Sequence, residues 1–357
     1  MKLFYESSSK IFKNENALSL EYLPPEMPER DGQLKELASI FNSVSKNRRP
    51  RNILITGSTG TGKTSCMKYV LNQLMDFTQI GVPIYINCWQ FSTSHAVLSE
   101  IAERLSLPLP RRGIAFDEIF NRIKEYLIKN NKILIVVLDE VDRLIANDST
   151  EILYYLSRSD ELMNGRSSVI VISNDNDLAI KLDDRIRSSL LEYRMKFEKY
   201  TAFQLKRILN ERAKLAFFTS AIGDEAVALC AANAAKQNGD ARVAISLLYQ
   251  TGLNAERDGA SRLMIKHVKL AIEEVRKETD FISRHFDSLS DTEKRIINVL
   301  LKGPVTSGEL YSRLSDMKIS DRMFQFYINK LEESQLIFSE EVEVKPKGRT
   351  KLLSIKR

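Results

Sequence analysis

Residues 53–64 read ILITGSTGTGKT, an apolar run followed by a glycine-rich turn, a lysine and a threonine. The last eight residues satisfy G-x-x-x-x-G-K-[ST] at every fixed position, with Gly57, Gly62, Lys63 and Thr64 in the required places. Gly57, Gly60 and Gly62 permit backbone angles that a side chain would forbid, so successive N–H groups can turn inward around an anion. A helix beginning near Gly62 adds the positive end of its dipole. The expected phosphate cradle therefore runs through Gly57, Ser58, Thr59, Gly60, Thr61, Gly62, Lys63, Thr64 and Ser65. Lys63 offers a compact charge to β and γ phosphates, and the Thr64 hydroxyl is a ligand for Mg²⁺. The alternative, a plain glycine-rich turn, is disfavoured by the strand before it and the helical pattern after it.

Working outward, "NILIT", "VPIYINC", "KILIVVLDE", "SSVIVISN" and "LEYRMKF" are apolar runs that alternate with helical patterns between about residues 33 and 197. That alternation predicts an α/β fold with a parallel sheet covered by helices on both faces. "ILIVVLDEVD" puts Asp139 and Glu140 at the carboxyl end of a buried strand, where open parallel sheets hold their ligands. About 75 residues after the loop, Asp139 is expected to orient Mg²⁺ or its water, and Glu140 to polarise an attacking water. An apolar run ending in two acids also arises by chance; the matched phosphate loop upstream favours the functional reading. Asn174 ends the next strand, either as a polar group that holds the same water or as a helix cap.

At 357 residues, 43% hydrophobic and 28% charged, the chain has room for two or three globular domains, and its composition is neither disordered nor fibrous. "MKLFYESSSK" lacks the apolar core of a signal peptide, and "ILIVVL" at 133–138 is far too short for a membrane span. A soluble, cytoplasmic protein with no membrane partner is expected. Cys66, Cys88 and Cys230 have neither disulfide nor metal-ligand spacing and read as core or helix residues. The net charge of +6 suggests an acidic partner such as nucleic acid. Its distribution is more telling: Lys345 to Arg357 holds six basic residues and no acid.

After about Tyr200 the strand patterns stop. "TAFQLKRILNERAKLAFF", "DEAVALCAANAAKQ" and "DARVAISLLYQTGLNAERDG" predict a small all-helical domain, and "IEEVRKETD" leads into a third unit near Phe281. That unit reads helix, helix, helix, hairpin, the pattern of a winged helix-turn-helix. Ser290 and Ser320 are the expected N-caps, Gly303 with Pro304 a stop, and Pro346 to Gly348 a turn. On the third helix, at about 100° per residue, Phe324, Ile328 and Leu331 share a core stripe while Arg322, Gln325 and Asn329 lie opposite. The opposite face either reads DNA or is merely solvated; Phe326 beside it and a wing bearing Lys345, Lys347 and Arg349 favour DNA. The expected domains are 1–199, 200–279 and 280–357.

Together these stretches resemble the AAA+ ATPases, and within them the archaeal origin-recognition replication initiators related to the eukaryotic origin recognition complex. The resemblance runs over nearly the whole chain. "EYLPPEMPERDGQLKELASIF" is similar to the segment that packs on adenine in that family, with Pro28 and Arg30 at the matching places. "GSTGTGKT", "VVLDEVD" and "ISNDNDL" match Walker A, Walker B and sensor 1, which makes Asn174 the sensor. "LDDRIRSSL" resembles the arginine-finger segment, with Arg185 at the family's position and Arg187 the near alternative; Asp184 stands where members often have proline. "NGDARVAISLL" resembles sensor 2, so Arg242 is expected to reach the γ-phosphate from a helical lid. The stretch from Phe91 to Leu127 resembles the initiator-specific insertion, whose tip, here Arg111, Arg112 and Gly113, contacts DNA; an ordinary basic loop is the other reading.

The resemblance implies an ATP-binding, Mg²⁺-dependent initiator that binds double-stranded origin DNA and hydrolyses ATP slowly as a switch. Its implied partners are a paralogous initiator chain and the replicative helicase. A clamp-loader or transposition-type AAA+ protein, a signal-transduction ATPase and a nucleotide-frozen adaptor are the competing readings.

Overall fold

The apolar run before the phosphate loop becomes an inner strand of a five-stranded parallel sheet. The strands are β1 (Ile53–Thr56), β2 (Gly81–Asn87), β3 (Ile133–Asp139), β4 (Ser167–Ser173) and β5 (Tyr193–Lys196), in the spatial order β2-β3-β4-β1-β5. The computed structural model describes residues 9–108, 113–286, 289–301, 303–314, 317, 319–334, 336–344 and 348–355. The chain divides into two compact units, Met1–Ala271 and Ile272–Arg357.

Successive side chains on a strand point to opposite faces, and this sorts the sheet's apolar residues into two layers. Ile53, Ile55, Ile135, Val137 and Ile172 pack with the helices Asp31–Phe41 and Lys63–Phe77. Leu54, Val136, Leu138, Val169 and Val171 pack instead against Leu98, Ile101 and Ile123 of the helices Ser94–Arg104 and Phe116–Lys129. β3 and β4 are thus buried at every residue, while only Ile84 and Ile86 are buried in the edge strand β2. Cutting Leu138 to alanine would cost about 2–5 kcal/mol and loosen the strand end on which Asp139 stands.

Four helices follow the sheet: Ala202–Ala216, Asp224–Lys236, Ala241–Arg257 and Ile265–Phe286. The last runs as one helix through the charged connection, where glutamate, lysine and arginine are strong helix formers. The amino-terminal segment straps onto this helical layer. Lys13 and Asn14 N–H groups donate to the Ala216 carbonyl at 2.7 and 2.9 Å, and Phe12 stacks on Phe217 with centroids 5.0 Å apart. The buried Arg212 donates to the Ala17 and Tyr22 carbonyls at 2.8 and 2.9 Å.

The second unit contains the helices Asp291–Leu300, Ser307–Arg313 and Asp321–Glu333, with β6 (Val305–Thr306), β7 (Ile337–Val344) and β8 (Gly348–Ile355) in an antiparallel sheet ordered β6-β8-β7. The three helices and the hairpin come in the expected order, with one short strand, β6, added to the hairpin. Ser290 and Ser320 cap their helices, accepting from Glu293 N–H at 3.4 Å and Met323 N–H at 3.3 Å. Ile297, Leu310, Phe324, Ile328, Leu331 and Leu353 form the core. Among the described residues, no helix is long and apolar enough to cross a membrane.

Candidate functional site

β1 ends at Thr56, and the chain turns through Gly57 to Gly62 into the helix Lys63–Phe77. Gly60 and Gly62 adopt φ values of +69° and +86°. A Cβ on Gly62 would lie 2.8 Å from the Tyr200 hydroxyl, and one on Gly60 1.7 Å from Asp240 Oδ1, so glycine is required twice over. Ser58 and Thr61 brace the turn from within, the Thr61 hydroxyl donating to the Ser58 carbonyl at 2.8 Å. Thr59 is exposed at the tip, and Ser65 is half-buried in the first helical turn.

The loop is tied to the ends of two other strands. Lys63 Nζ donates to the Gly57 and Ser58 carbonyls at 2.6 and 2.9 Å and to Asn174 Oδ1, just past β4, at 2.9 Å. The Thr64 hydroxyl donates to Asp139 Oδ2, at the end of β3, at 2.6 Å. Burial pushes the Lys63 ammonium pKa down to about 8; Asp139 pulls it upward, and the positive charge of Arg242 adds to the lowering. A hydroxyl and a carboxylate oxygen side by side fit a Mg²⁺ site whose other ligands are phosphate and water, and a lysine held over a glycine loop fits the phosphates.

Two further residues hold this arrangement in place. Tyr85, on β2 in register with Val137, donates its hydroxyl to Asp139 Oδ2 at 2.7 Å. Burial raises the Tyr85 hydroxyl pKa, and the neighbouring carboxylate raises it further. Asp142 accepts from the Ser173 hydroxyl at 2.6 Å and from Asn174 N–H at 3.3 Å, fixing the end of β4. A tyrosine in a strand reads as packing, so Tyr85 gives no sequence signal; Asp142 stands in plain sight within "VVLDEVD". Glu140 follows Asp139 at φ +55°, its N–H donating to Asp139 Oδ1 at 2.9 Å.

Arg30 lies behind the loop. Its Nη2 donates to the Thr61 and Glu198 carbonyls, both at 2.8 Å, its Nε to the Tyr200 hydroxyl at 2.9 Å, and the guanidinium stacks 4.0 Å from the Tyr200 ring centre. Pro28 lines a cleft of about 700 Å³ with Met27, Leu34, Tyr69, Arg207 and Ile222. Arg242 is half exposed and pairs with Asp240 at 3.2 Å. Arg185 is exposed on the helix Asp184–Leu190, which Asp183 caps by accepting Arg185 N–H at 2.8 Å; Arg187 pairs with Asp184 instead.

The residues expected to meet DNA are not gathered in the same way. Gly113 is exposed at φ +79°, and Arg111 and Arg112 lie outside the described residues. Arg322, Gln325 and Asn329 are all exposed on the helix Asp321–Glu333, opposite the buried Phe324, Ile328 and Leu331, with Phe326 56% exposed beside them. Arg349 is the second residue of β8, in register with Glu343 of β7, while Lys345 and Lys347 lie outside the described residues.

Residues 46–174 match the AAA domain family and residues 206–273 the Cdc6 AAA+ ATPase-type lid domain. The chain is 34% identical to the ORC1-type DNA replication protein 1 of Sulfurisphaera tokodaii over 98% of this chain and 91% of that one. It is 36% identical to the ORC1-type DNA replication protein of Thermococcus kodakarensis over 97% of this chain and 88% of that one. The solved structure of the Aeropyrum pernix ORC1 protein in complex with DNA is similar at a TM-score of 0.70 and 31% identity, covering 98% of this chain and 95% of that one. The α/β core with its helical lid is thus an AAA+ nucleotide-binding fold, and by likeness along nearly its entire length the chain belongs to the ORC1-type DNA replication proteins.

Proposed function

We propose that this protein is an ATP-dependent initiator of DNA replication, in which slow hydrolysis switches an origin-bound state. The observation that carries this is the joining of three strand ends by Lys63–Asn174 and Thr64–Asp139, inside a chain that matches initiators along its length. The phosphate loop, Gly57 to Ser65, takes the phosphates, with Lys63 on the β and γ groups. Thr64 and Asp139 would hold Mg²⁺, which when bound offsets charge on the phosphates. Glu140 polarises the attacking water and Asn174 orients it. Arg242 meets the γ-phosphate from the lid. Arg185 serves a neighbouring chain: among the described residues its guanidinium has no ion-pair partner, whereas Arg187 is held by Asp184. The cleft lined by Pro28 and Tyr69, the latter on the helix that follows the loop, takes the nucleoside, and Arg30 braces the loop through the Thr61 carbonyl.

The division of labour follows 1–199 for nucleotide, 200–279 for the lid and 280–357 for DNA. Arg322, Gln325 and Asn329 read base edges, while Lys345, Lys347 and Arg349 of the wing, with Arg111, Arg112 and Gly113 of the insertion, hold the backbone. The Aeropyrum pernix relative seen with DNA supports DNA as the partner. A paralogous initiator and the replicative helicase complete the assembly in the cytoplasm. The test is fluorescence anisotropy of the full chain against fragmented genomic duplex and random duplex, across a salt series, with ATP and with ADP. Enrichment of discrete genomic sites that responds to the nucleotide is expected. Weak binding indifferent to sequence would leave the ATPase standing and remove the initiator reading.

A further inference from the structure

The helix Ala241–Arg257 begins directly against the phosphate loop. Ala241 N–H donates to the Gly60 carbonyl at 3.0 Å, and the Asp240 carboxylate lies over the bare Cα of Gly60, where a Cβ would be 1.7 Å from Oδ1. Asp240 caps its helix by accepting Arg242 N–H at 2.7 Å. The same carboxylate reaches the Arg242 side chain, with Nε at 3.4 Å from Oδ1 and Nη2 at 3.2 Å from Oδ2. Capping alone needs one oxygen, and serine or asparagine would supply it equally well. A carboxylate beside an anion-binding loop is electrostatically unfavourable unless it serves a cation. The Asp240 side chain is 14% exposed and fixed at both edges, while the Arg242 side chain, 49% exposed, depends on it for its position.

We propose that Asp240 is a positioning residue for Arg242: seated on Gly60, it holds the guanidinium at the mouth of the phosphate loop, so that a terminal phosphate meets an arginine already oriented. The proposal rests on the reading of Arg242 as the lid's γ-phosphate contact. Selection of ATP over ADP then depends on a residue that touches no phosphate. It also couples loop and lid, because Gly60 and the start of the lid helix share one carboxylate.

The test uses the full chain and measures the Kd values of fluorescent mant-ATP and mant-ADP with Mg²⁺. Asp240→Asn keeps the cap and the shape but removes the charge. The preference for ATP over ADP is expected to fall about fivefold, toward that of Arg242→Ala. In the Arg242→Ala background, the same change should alter the preference less than about twofold. A purely structural role would shift both nucleotides alike and leave their ratio in place. An unchanged ratio in Asp240→Asn, with a lowered one in Arg242→Ala, overturns the positioning role alone, as does a full Asp240→Asn effect that persists without Arg242. If Arg242→Ala itself leaves the ratio unchanged, the γ-phosphate reading of Arg242 falls and the proposal falls with it.

Discussion

Lys63 is bonded to two carbonyls and to Asn174, Thr64 to Asp139, and Asp139 in turn to Tyr85; in the second unit, Arg322, Gln325 and Asn329 stand exposed on one helix face. In the proposed function the two regions would meet anions by different routes. Around the phosphate loop, charges are desolvated and oriented as the chain folds, so little remains to be ordered when a ligand arrives. On the exposed helix, side chains keep their water and rotamer freedom, and the proposed DNA binding there would be set by counterion release and base-edge fit. A preformed site should break cooperatively at one residue. An exposed face should erode in small, separable, salt-dependent steps.

The largest expected effects therefore lie in the first unit. Lys63→Ala should weaken mant-ATP binding about 100-fold or more, because it removes the ammonium that the β and γ phosphates would meet. ATP affinity within threefold of the parent protein would show that the loop is not the anion site. Glu140→Gln should lower turnover by roughly 10² to 10⁴ while retaining bound ATP. Normal turnover in that variant would take Glu140 out of the reaction. In the second unit, alanine at Arg322, Gln325 or Asn329 should cost about 1–3 kcal/mol on origin sites and little on random duplex. Alanine at Lys345, Lys347 or Arg349 should weaken all duplexes alike and lower the salt slope by about one each. Equal losses on both kinds of DNA for the first group would make the helix a backbone clamp, and the contrast between the regions would become one of charge alone.

What could be read from the sequence follows the same division. The phosphate loop is legible because a backbone shape demands glycine at Gly60 and Gly62 and a charge at Lys63, and few other residues satisfy those demands. β3 and β4 are legible because burial on both faces requires unbroken apolar runs. Tyr85 and Arg212 are not, since a tyrosine in a strand and an arginine in a helix carry no mark of the distant groups they bond: Asp139 for one, the Ala17 and Tyr22 carbonyls for the other. Asp240 is visible as an N-cap in "NGDARVAISLL", yet its seat on Gly60 is a tertiary contact that no local pattern encodes. β6 is only two residues long, too short for any period. On the DNA side the stripe of Phe324, Ile328 and Leu331 was legible from its 3.6-residue spacing, but periodicity says only which face is exposed, not what it meets.

Desolvation at Lys63 gives a smaller test of the same contrast. Burial in the loop lowers its pKa to about 8, against 10.5 for an ordinary lysine. The loop loses its charge as pH rises through that value, whereas phosphates require it, so ATP affinity should fall about tenfold between pH 7 and pH 9. Binding near pH 8.5 should take up a proton, seen as a calorimetric enthalpy that varies with the buffer's ionisation heat. Between the two pKa values the unfolded chain binds more protons than the folded one, so protein measured without nucleotide should gain stability with rising pH while losing affinity for ATP. A flat affinity profile would mean that the ammonium is as well solvated as an ordinary surface lysine.

The smallest expected effect asks whether the second unit has a preformed scaffold behind its exposed face. Ser290 N–H and Oγ donate to Glu293 Oε2 at 2.7 and 2.6 Å, and the buried Glu293 pairs with Lys330 of the helix Asp321–Glu333 at 2.7 Å. Burial works to raise the Glu293 pKa, but Lys330 and Ser290 together hold it below the usual carboxylate range. The capping box therefore ties the helix Asp291–Leu300 to the helix that carries Arg322 and Asn329. Ser290→Ala should cost about 1 kcal/mol of local stability, read as faster hydrogen exchange in Asp291–Leu300, with no change in ATP affinity. Weaker binding of all duplexes alongside that loss would show that DNA affinity draws on helix placement as well as on exposed charge. Unchanged DNA binding would show that the exposed face works independently of how tightly its scaffold is held, the opposite of the phosphate loop.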